Sequence, residues 1–123
     1  MKFSLIICTY QRPKPLLQLL QSVQEQTLYP DEILIIDGST NDATERMIAN
    51  TSFLNLNYFL VPKEERGLTK QRNFGIARVS KDNDVVCFLD DDTVLSADYF
   101  EQLLSTYQKY PDALGVGGYI HNE

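Results

Sequence analysis

Three consecutive aspartates, Asp90, Asp91 and Asp92, directly follow the apolar run Val85 to Leu89. Three carboxylates packed side by side without a cation would repel one another strongly. Carboxylate oxygens are ligands that Mg2+ and Mn2+ prefer, and these ions commonly join a few carboxylates to substrate phosphates. The triplet therefore predicts a divalent cation site for a phosphorylated ligand. The alternative interpretation is a solvated strand end before a helix capped by Ser96.

Polar side chains also follow two other apolar runs. Thr9, Tyr10 and Arg12 come after the first run of the chain, and Asp37 comes after the second. Taken alone, Asp37 is equally typical of a turn, because Asp-Gly-Ser is ordinary loop chemistry. Ligands of an open α/β sheet bind outside the carboxyl ends of its strands. We therefore expect these polar segments and the aspartate triplet to meet at one edge of a sheet.

A short basic segment interrupts the acidic chain. It holds four cations within ten residues: Lys63, Arg66, Lys70 and Arg72. A glycine in its middle opens a predicted helix, and a helix N-terminus attracts phosphate. Two glutamates beside Lys63 favour a salt-bridged surface position for that residue, whereas Lys70 and Arg72 are predicted to bind the ligand.

One histidine and two cysteines are the other candidate metal or redox residues. We expect His121 to be an exposed tail residue rather than a further metal ligand. Cys8 and Cys87 each lie in an apolar run, where a buried thiol behaves as a small hydrophobe. Both are interpreted as reduced thiols of a cytoplasmic protein.

The strands that must position these residues follow from apolar runs. Four runs are bounded by polar, Gly or Pro residues: Phe3 to Cys8, Ile33 to Ile36, Tyr58 to Val61 and Val85 to Leu89. They are nearly continuous rather than alternating, which is typical of parallel strands covered on both faces by helices. A fifth strand is expected at Ala113 to Tyr119.

Helical patterns lie between the strands. Pro13 and Pro15 suit the first turn of a first helix. Further helices are expected at Ala43 to Ala49, at about Leu68 to Val79 and around Phe100 to Tyr107. Apolar stripes on the first and last of these helices predict core packing.

Size and charge limit the class of protein. A chain of 123 residues fits one domain with one modest core. Its net charge of -6 repels duplex nucleic acid over most of the surface, so nucleic acid is excluded as a partner. The first apolar run, Leu5 to Cys8, is too short for a signal peptide or a membrane span.

Four motifs, in this order, resemble the N-terminal half of family 2 glycosyltransferases. They run from Ser4 to Pro13, from Ile35 to Asp42, from Gly67 to Ile76 and from Leu89 to Asp92. The resemblance covers nearly the whole chain, although Lys70 and Gln71 depart from the commonest family pattern. It implies an α/β, Rossmann-like GT-A nucleotide-binding fold, truncated, with a mostly parallel sheet of about five strands flanked by helices.

The resemblance also implies roles for matching residues. Thr9 and Tyr10 would lie against the nucleotide base, and Asp37 would accept hydrogen bonds from a uracil ring or its equivalent. Asp91 would face the ribose, and Asp92 would bind Mn2+ or Mg2+ on the diphosphate. The expected nucleotide site comprises Thr9, Tyr10, Arg12, Asp37, Lys70, Arg72, Asp90 and Asp91.

The implied activity is inverting transfer of a sugar from a nucleotide-diphosphate donor, with a UDP-sugar favoured. The acceptor would be a saccharide or lipid-linked hydroxyl, and the full-length enzyme would act in the cytoplasm, with peripheral association at the inner face of the membrane as one possibility. The catalytic base is expected beyond Glu123, so residues 1–123 are interpreted as the sugar-nucleotide-binding portion without the acceptor-binding half.

Two alternatives remain open. The first is a nucleotide-binding module without transferase activity. The second is a haloacid dehalogenase-type phosphatase with Asp90 as nucleophile, because Asp90 to Val94 also fits its D-x-D-x-[T/V] pattern. A nucleotidyltransferase or a dinucleotide-binding domain is disfavoured, because Thr9 to Pro15 contains no glycine.

Overall fold

A computed structural model describes residues 1–109 of the protein. Its elements, in chain order, are β1 (Phe3–Thr9), α1 (Pro13–Gln24), β2 (Glu32–Asp37), α2 (Ala43–Ala49), β3 (Leu56–Leu60), a short 3-10 turn (Lys63–Glu65), α3 (Leu68–Ile76), β4 (Val85–Asp90) and α4 (Tyr99–Lys109). The expected fifth strand and His121 lie outside the described residues.

The described strands form one parallel sheet in the order β3-β2-β1-β4. From β1, the next two strands add to one side of the sheet, so that β2 pairs with β1 and β3 pairs with β2. The chain then crosses back, and β4 pairs with the other side of β1. The carboxyl ends of β1 and β4 are therefore neighbours at the point where strand order reverses, which is where open α/β sheets bind ligands. The parallel α/β fold expected from the sequence is confirmed.

Helices pack on both faces of this sheet. On one face, Phe3, Leu5 and Ile7 of β1 form a core with apolar residues of α1 and α4, including Phe100, whose ring centroid is 5.0 Å from that of Phe3. On the other face, α3 approaches closely through Gly75, where a Cβ atom would lie 2.9 Å from Ile6 Cγ2. The loops that follow β1 and β2 therefore begin from strands that are buried between helices.

Strand β4 corrects one expectation. Cys87 and Leu89 are buried, but Val86 and Phe88 on the opposite face are 37% and 38% exposed. The expected burial on both faces is wrong for this strand, because β4 is the edge strand of the described sheet and the core on the α3 side is built on β1 and β2. The alternation follows from burial on one face only.

Three of the predicted site residues belong to strands. Thr9, Asp37 and Asp90 are the last residues of their strands rather than the first residues of loops, so hydrogen bonds of the sheet fix their backbone.

Cys8 and Cys87 are free thiols. Within residues 1–109, no helix has both the length and the apolar character needed to cross a bilayer.

Candidate functional site

A cleft of about 600 Å3 opens at the carboxyl ends of β1 and β4. The strand register places Thr9 opposite Asp37 on one side of β1 and Cys8 opposite Asp90 on the other side. The loops after β1 and β4 and the start of α3 form the walls. The lining residues are Cys8, Thr9, Tyr10, Arg12, Arg66, Gly67, Leu68, Gln71, Asp90, Asp91 and Asp92.

Asp91 connects two walls of the cleft. Its side chain is buried, and its Oδ2 accepts a 2.9 Å hydrogen bond from the Thr9 hydroxyl. Its Oδ1 lies 3.5 Å from Nη1 of Arg12. Burial raises the pKa of Asp91, while the Thr9 hydrogen bond and the Arg12 charge oppose that rise. The structure therefore brings together three residues that the sequence predicted to share a site.

Asp90 and Asp92 face more solvent than Asp91. Asp92 has a 63% exposed side chain, and its Oδ2 lies 3.7 Å from Arg12 Nη1. Within residues 1–109, no three His, Cys, Asp or Glu side chains are grouped as a metal cage. Mg2+ and Mn2+ usually bind through one or two carboxylates, substrate phosphates and water, so the accessible carboxylate of Asp92 fits such an ion.

Asp37 lies beneath the surface of the cleft rather than among its lining residues. It is fully buried, and its Oδ1 accepts hydrogen bonds from the backbone N–H and the hydroxyl of Ser39 at 2.9 and 2.5 Å. Its Oδ2 accepts a 2.5 Å hydrogen bond from the Tyr58 hydroxyl. Burial, together with the bond to Asp37, raises the pKa of Tyr58. The role of Asp37 towards a base stays a prediction.

Gln71 joins three elements at the floor of the cleft. Its Nε2 donates to the backbone carbonyls of Thr9 and Ile36 at 3.2 and 2.9 Å, and its Oε1 accepts from the Gly67 N–H at 3.1 Å. A Cβ atom on Gly38 would lie 2.8 Å from this Oε1, so a larger residue there would force the Gln71 side chain to shift. The sequence marked Gln71 only as a departure from the commonest family pattern.

The basic segment contributes a different residue from those predicted. Nζ of Lys70 donates to the backbone carbonyl of Glu64 at 3.0 Å, and the Arg72 guanidinium lies 5.5 Å from the centroid of the Phe88 ring. Neither residue is part of the cleft lining, whereas Arg66 is. Gly67, with φ of 114°, turns the chain into α3. Nucleotide binding by Lys70 and Arg72 stays a prediction.

The parallel sheet, its flanking helices and the cleft at the carboxyl ends of β1 and β4 define a GT-A-like α/β domain. The model of the family described as Glycosyl transferase family 2 matches residues 4–123. This chain therefore belongs to glycosyl transferase family 2, as its motifs predicted. Membership of this family also argues against the phosphatase alternative for the aspartate triplet.

Curated relatives match nearly the whole of this chain. A glucosyl-dolichyl phosphate glucuronosyltransferase of Haloferax volcanii is 30% identical over 98% of this chain and 38% of its own length. The amylovoran biosynthesis glycosyltransferase AmsE of Erwinia amylovora is 31% identical over 96% of this chain and 45% of its own length. The chain thus spans less than half the length of either relative.

Two solved structures share the fold. Residues 1–349 of S. aureus TarS in complex with UDP-GlcNAc match 90% of this chain and 32% of that chain, with a TM-score of 0.76 and 24% identity. The mannosyltransferase PcManGT from Pyrobaculum calidifontis, in complex with GDP-Man and Mn2+, matches 94% of this chain and 34% of that chain, with a TM-score of 0.69 and 22% identity.

Proposed function

We propose that residues 1–123 bind the nucleotide diphosphate of a sugar donor for a metal-dependent, inverting glycosyltransferase. The observation that carries this proposal is the hydrogen bond between Thr9 and Asp91, which joins the β1 loop to the aspartate triplet within one cleft. Family membership supports transferase chemistry. A UDP-sugar is the proposed donor, and UDP-GlcNAc is the ligand of the TarS structure.

The lining residues suit the parts of a nucleotide. Tyr10 is 51% exposed at the cleft and offers an aromatic face to a base. Asp91 offers carboxylate oxygens to ribose hydroxyls. Asp37 Oδ2 accepts one hydrogen bond, from the Tyr58 hydroxyl, and has a second lone pair for a ring N–H. Because Asp37 is fully buried, a neighbouring side chain would have to move to let the ring reach it.

The acidic end of the cleft suits a diphosphate with its counterion. Asp92 would hold Mn2+ or Mg2+ through its accessible carboxylate, and Arg12 lies beside it as a fixed positive charge. When bound, such a cation offsets the negative charge that collects on the departing diphosphate. The protein's contribution is to hold both charges in place before the reaction, so that little reorganisation is needed.

Transfer requires a base that takes a proton from the acceptor hydroxyl. Among the described residues that line the cleft, the only carboxylates are those of Asp90, Asp91 and Asp92, and we assign these to the donor. We propose that the base and the acceptor surface lie in a part of the relatives that this chain does not span. The alternative is nucleotide binding without transfer, and radiolabelled sugar transfer by a longer protein would distinguish the two.

Titration calorimetry with UDP, with and without Mn2+, tests the nucleotide site. We expect Mn2+ to raise UDP affinity in the unaltered protein, and Asp92→Ala to abolish this gain. Asp82→Ala is the matched control, because Asp82 is an exposed aspartate near the amino ends of the strands. Equal UDP affinity with and without Mn2+ in the unaltered protein would count against the metal-dependent site.

A further inference from the structure

Gln11 joins the loop after β1 to the loop after β2. Its backbone N–H donates to the hydroxyl oxygen of Ser39 at 2.7 Å. Its side-chain Oε1 accepts hydrogen bonds from the backbone N–H of Thr40, at 3.2 Å, and from the Thr40 hydroxyl. These three hydrogen bonds, the Gln11 clasp, connect residues that lie 28 and 29 positions apart in the sequence.

The backbone of Gln11 has an unusual conformation. Its φ is 50°, in the left-handed region that residues other than glycine rarely adopt. A residue with a side chain keeps such a conformation only where the surrounding structure holds it, and the Gln11 clasp does so. Only three residues separate the end of β1 from the start of α1. The conformation of Gln11 therefore decides where its two neighbours lie.

Arg12 is the neighbour whose position bears on the aspartate triplet. Its Nη1 lies 3.5 Å from Asp91 Oδ1 and 3.7 Å from Asp92 Oδ2, and its side chain is 55% exposed. An exposed ion pair alone orders a long side chain poorly, because the entropy lost offsets the attraction. On its other side, Pro13 keeps the Arg12 backbone out of the helical region. Arg12 lines the cleft, whereas Gln11 is not among the lining residues.

We propose that Gln11 is a positioning residue, which holds Arg12 beside Asp91 and Asp92 and so strengthens nucleotide binding without touching the ligand. This role rests on the proposed function, which places the diphosphate and its cation at the aspartate triplet. Without the Gln11 clasp, the backbone of Arg12 would sample several conformations. Ordering it would then add to the free-energy cost of binding.

Calorimetric titration with UDP in the presence of Mn2+ tests this role. Gln11→Gly removes Oε1 but adopts a positive φ without steric cost. It should therefore keep nearly the same free energy of unfolding in urea denaturation, yet it should bind UDP about fivefold more weakly. Asn55→Gly is the matched control. Asn55 also has a left-handed backbone, with φ of 63°, and a side-chain amide that donates to the Pro30 carbonyl, but it lies near the amino ends of the strands. UDP affinity should not change in this control.

A double-mutant cycle shows whether Gln11 acts through Arg12. Arg12→Ala alone should weaken UDP binding. In the Arg12→Ala background, Gln11→Gly should cause no further loss, because the side chain that it positions is gone. A full additional loss in that background would show that Gln11 acts on the ligand by another route, and would overturn the positioning role.

Other results overturn the role in distinguishable ways. Unchanged UDP affinity in Gln11→Gly, or an equal loss in Asn55→Gly, would remove Gln11 from nucleotide binding and leave the site itself intact. If Gln11→Gly does not fold, Thr40→Ala decides instead. This variant removes one donor of the Gln11 clasp and should weaken UDP binding about twofold, so unchanged affinity would overturn the role. Failure of the unaltered protein to bind UDP would overturn the proposed function, and this role with it.

Discussion

The hydroxyl of Thr9 donates a 2.9 Å hydrogen bond to Oδ2 of Asp91, across 82 residues of sequence. Thr9 is the last residue of β1, and Asp91 directly follows β4. Neighbouring parallel strands bring these two residues together at the point where strand order reverses. The carboxylate therefore has a fixed direction before any ligand arrives, which is the physical basis of the proposed nucleotide site.

Replacing Thr9 should show how much this bond contributes. Thr9→Val keeps the shape but removes the donor, so Asp91 loses a partner in a buried position. We expect the free energy of unfolding to fall by about 1 to 2 kcal/mol, as measured by urea denaturation. A Thr9→Val variant as stable as the unaltered protein would show that the bond contributes nothing.

The Tyr58 hydroxyl is the donor to Oδ2 of the buried Asp37. Tyr58→Phe should therefore lower the free energy of unfolding by about 2 kcal/mol, because hydrogen bonds to charged groups are the stronger ones. Tyr29→Phe is the control, since the Tyr29 hydroxyl donates to the backbone carbonyl of Leu54 at an exposed position. A larger loss for Tyr29→Phe than for Tyr58→Phe in thermal denaturation would contradict this account.

Gln71 should tolerate no change of charge. In Gln71→Glu, a carboxylate oxygen would take the place of Nε2, the atom that donates to the carbonyls of Thr9 and Ile36. We expect a loss of more than about 2 kcal/mol in the free energy of unfolding, because two buried acceptors lose their donor and face a negative charge. Gln18→Glu, on the exposed side of α1, should change stability by less than about 0.5 kcal/mol.

The two thiols should react slowly in the folded protein. Burial raises the pKa of Cys8 from 9.0 to about 11 and that of Cys87 to about 12. At pH 8, the thiolate fraction of Cys8 should thus be about 100-fold lower than that of an unperturbed thiol. Iodoacetamide labelling followed by peptide mass spectrometry should show slow modification when folded and fast modification in denaturant. Equal rates would contradict this expectation.

The same shifts predict how stability depends on pH. Because the folded state holds both thiol protons more tightly than the unfolded state, these groups bind more protons when folded between pH 9 and about 12. The free energy of unfolding should therefore decrease as pH rises through that interval. Below pH 9 the contribution of the thiols to the free energy of unfolding should be constant. Urea denaturation at stepped pH values would measure this dependence on pH.

Much of the fold can be predicted from local sequence patterns, without knowing which segments contact one another. The continuous apolar runs of β1 and β2 predicted buried parallel strands, and the triplet after β4 predicted a polar edge. Burial drives both features, so a local pattern reports them directly. The β4 run looked the same in sequence, and its exposed Val86 and Phe88 depend on its edge position, which only the strand order determines.

Less of the site could be predicted from the sequence, because contacts between residues of different strands and helices determine which side chains line the cleft. Gln71 donates hydrogen bonds to carbonyls of two different strands, and Arg66 lines the cleft with its side chain beside Gly38. Neither arrangement has a local signature. Lys70 looked equivalent to Arg66 by charge, but it turns towards the Glu64 carbonyl instead. The charge of the segment therefore did not indicate which of its residues lines the cleft.

The central claim is that a divalent ion and a nucleotide gather at the carboxyl ends of β1 and β4. Paramagnetic broadening by Mn2+ in the presence of UDP, measured on backbone amide NMR signals with Mg2+ as reference, tests it directly. The signals of Thr9 and Asp91 should broaden, while those of Ser80 and Asn83, about 20 Å away at the amino ends of the strands, should stay sharp. Broadening centred on Ser80 and Asn83, with Thr9 and Asp91 unaffected, would contradict the account.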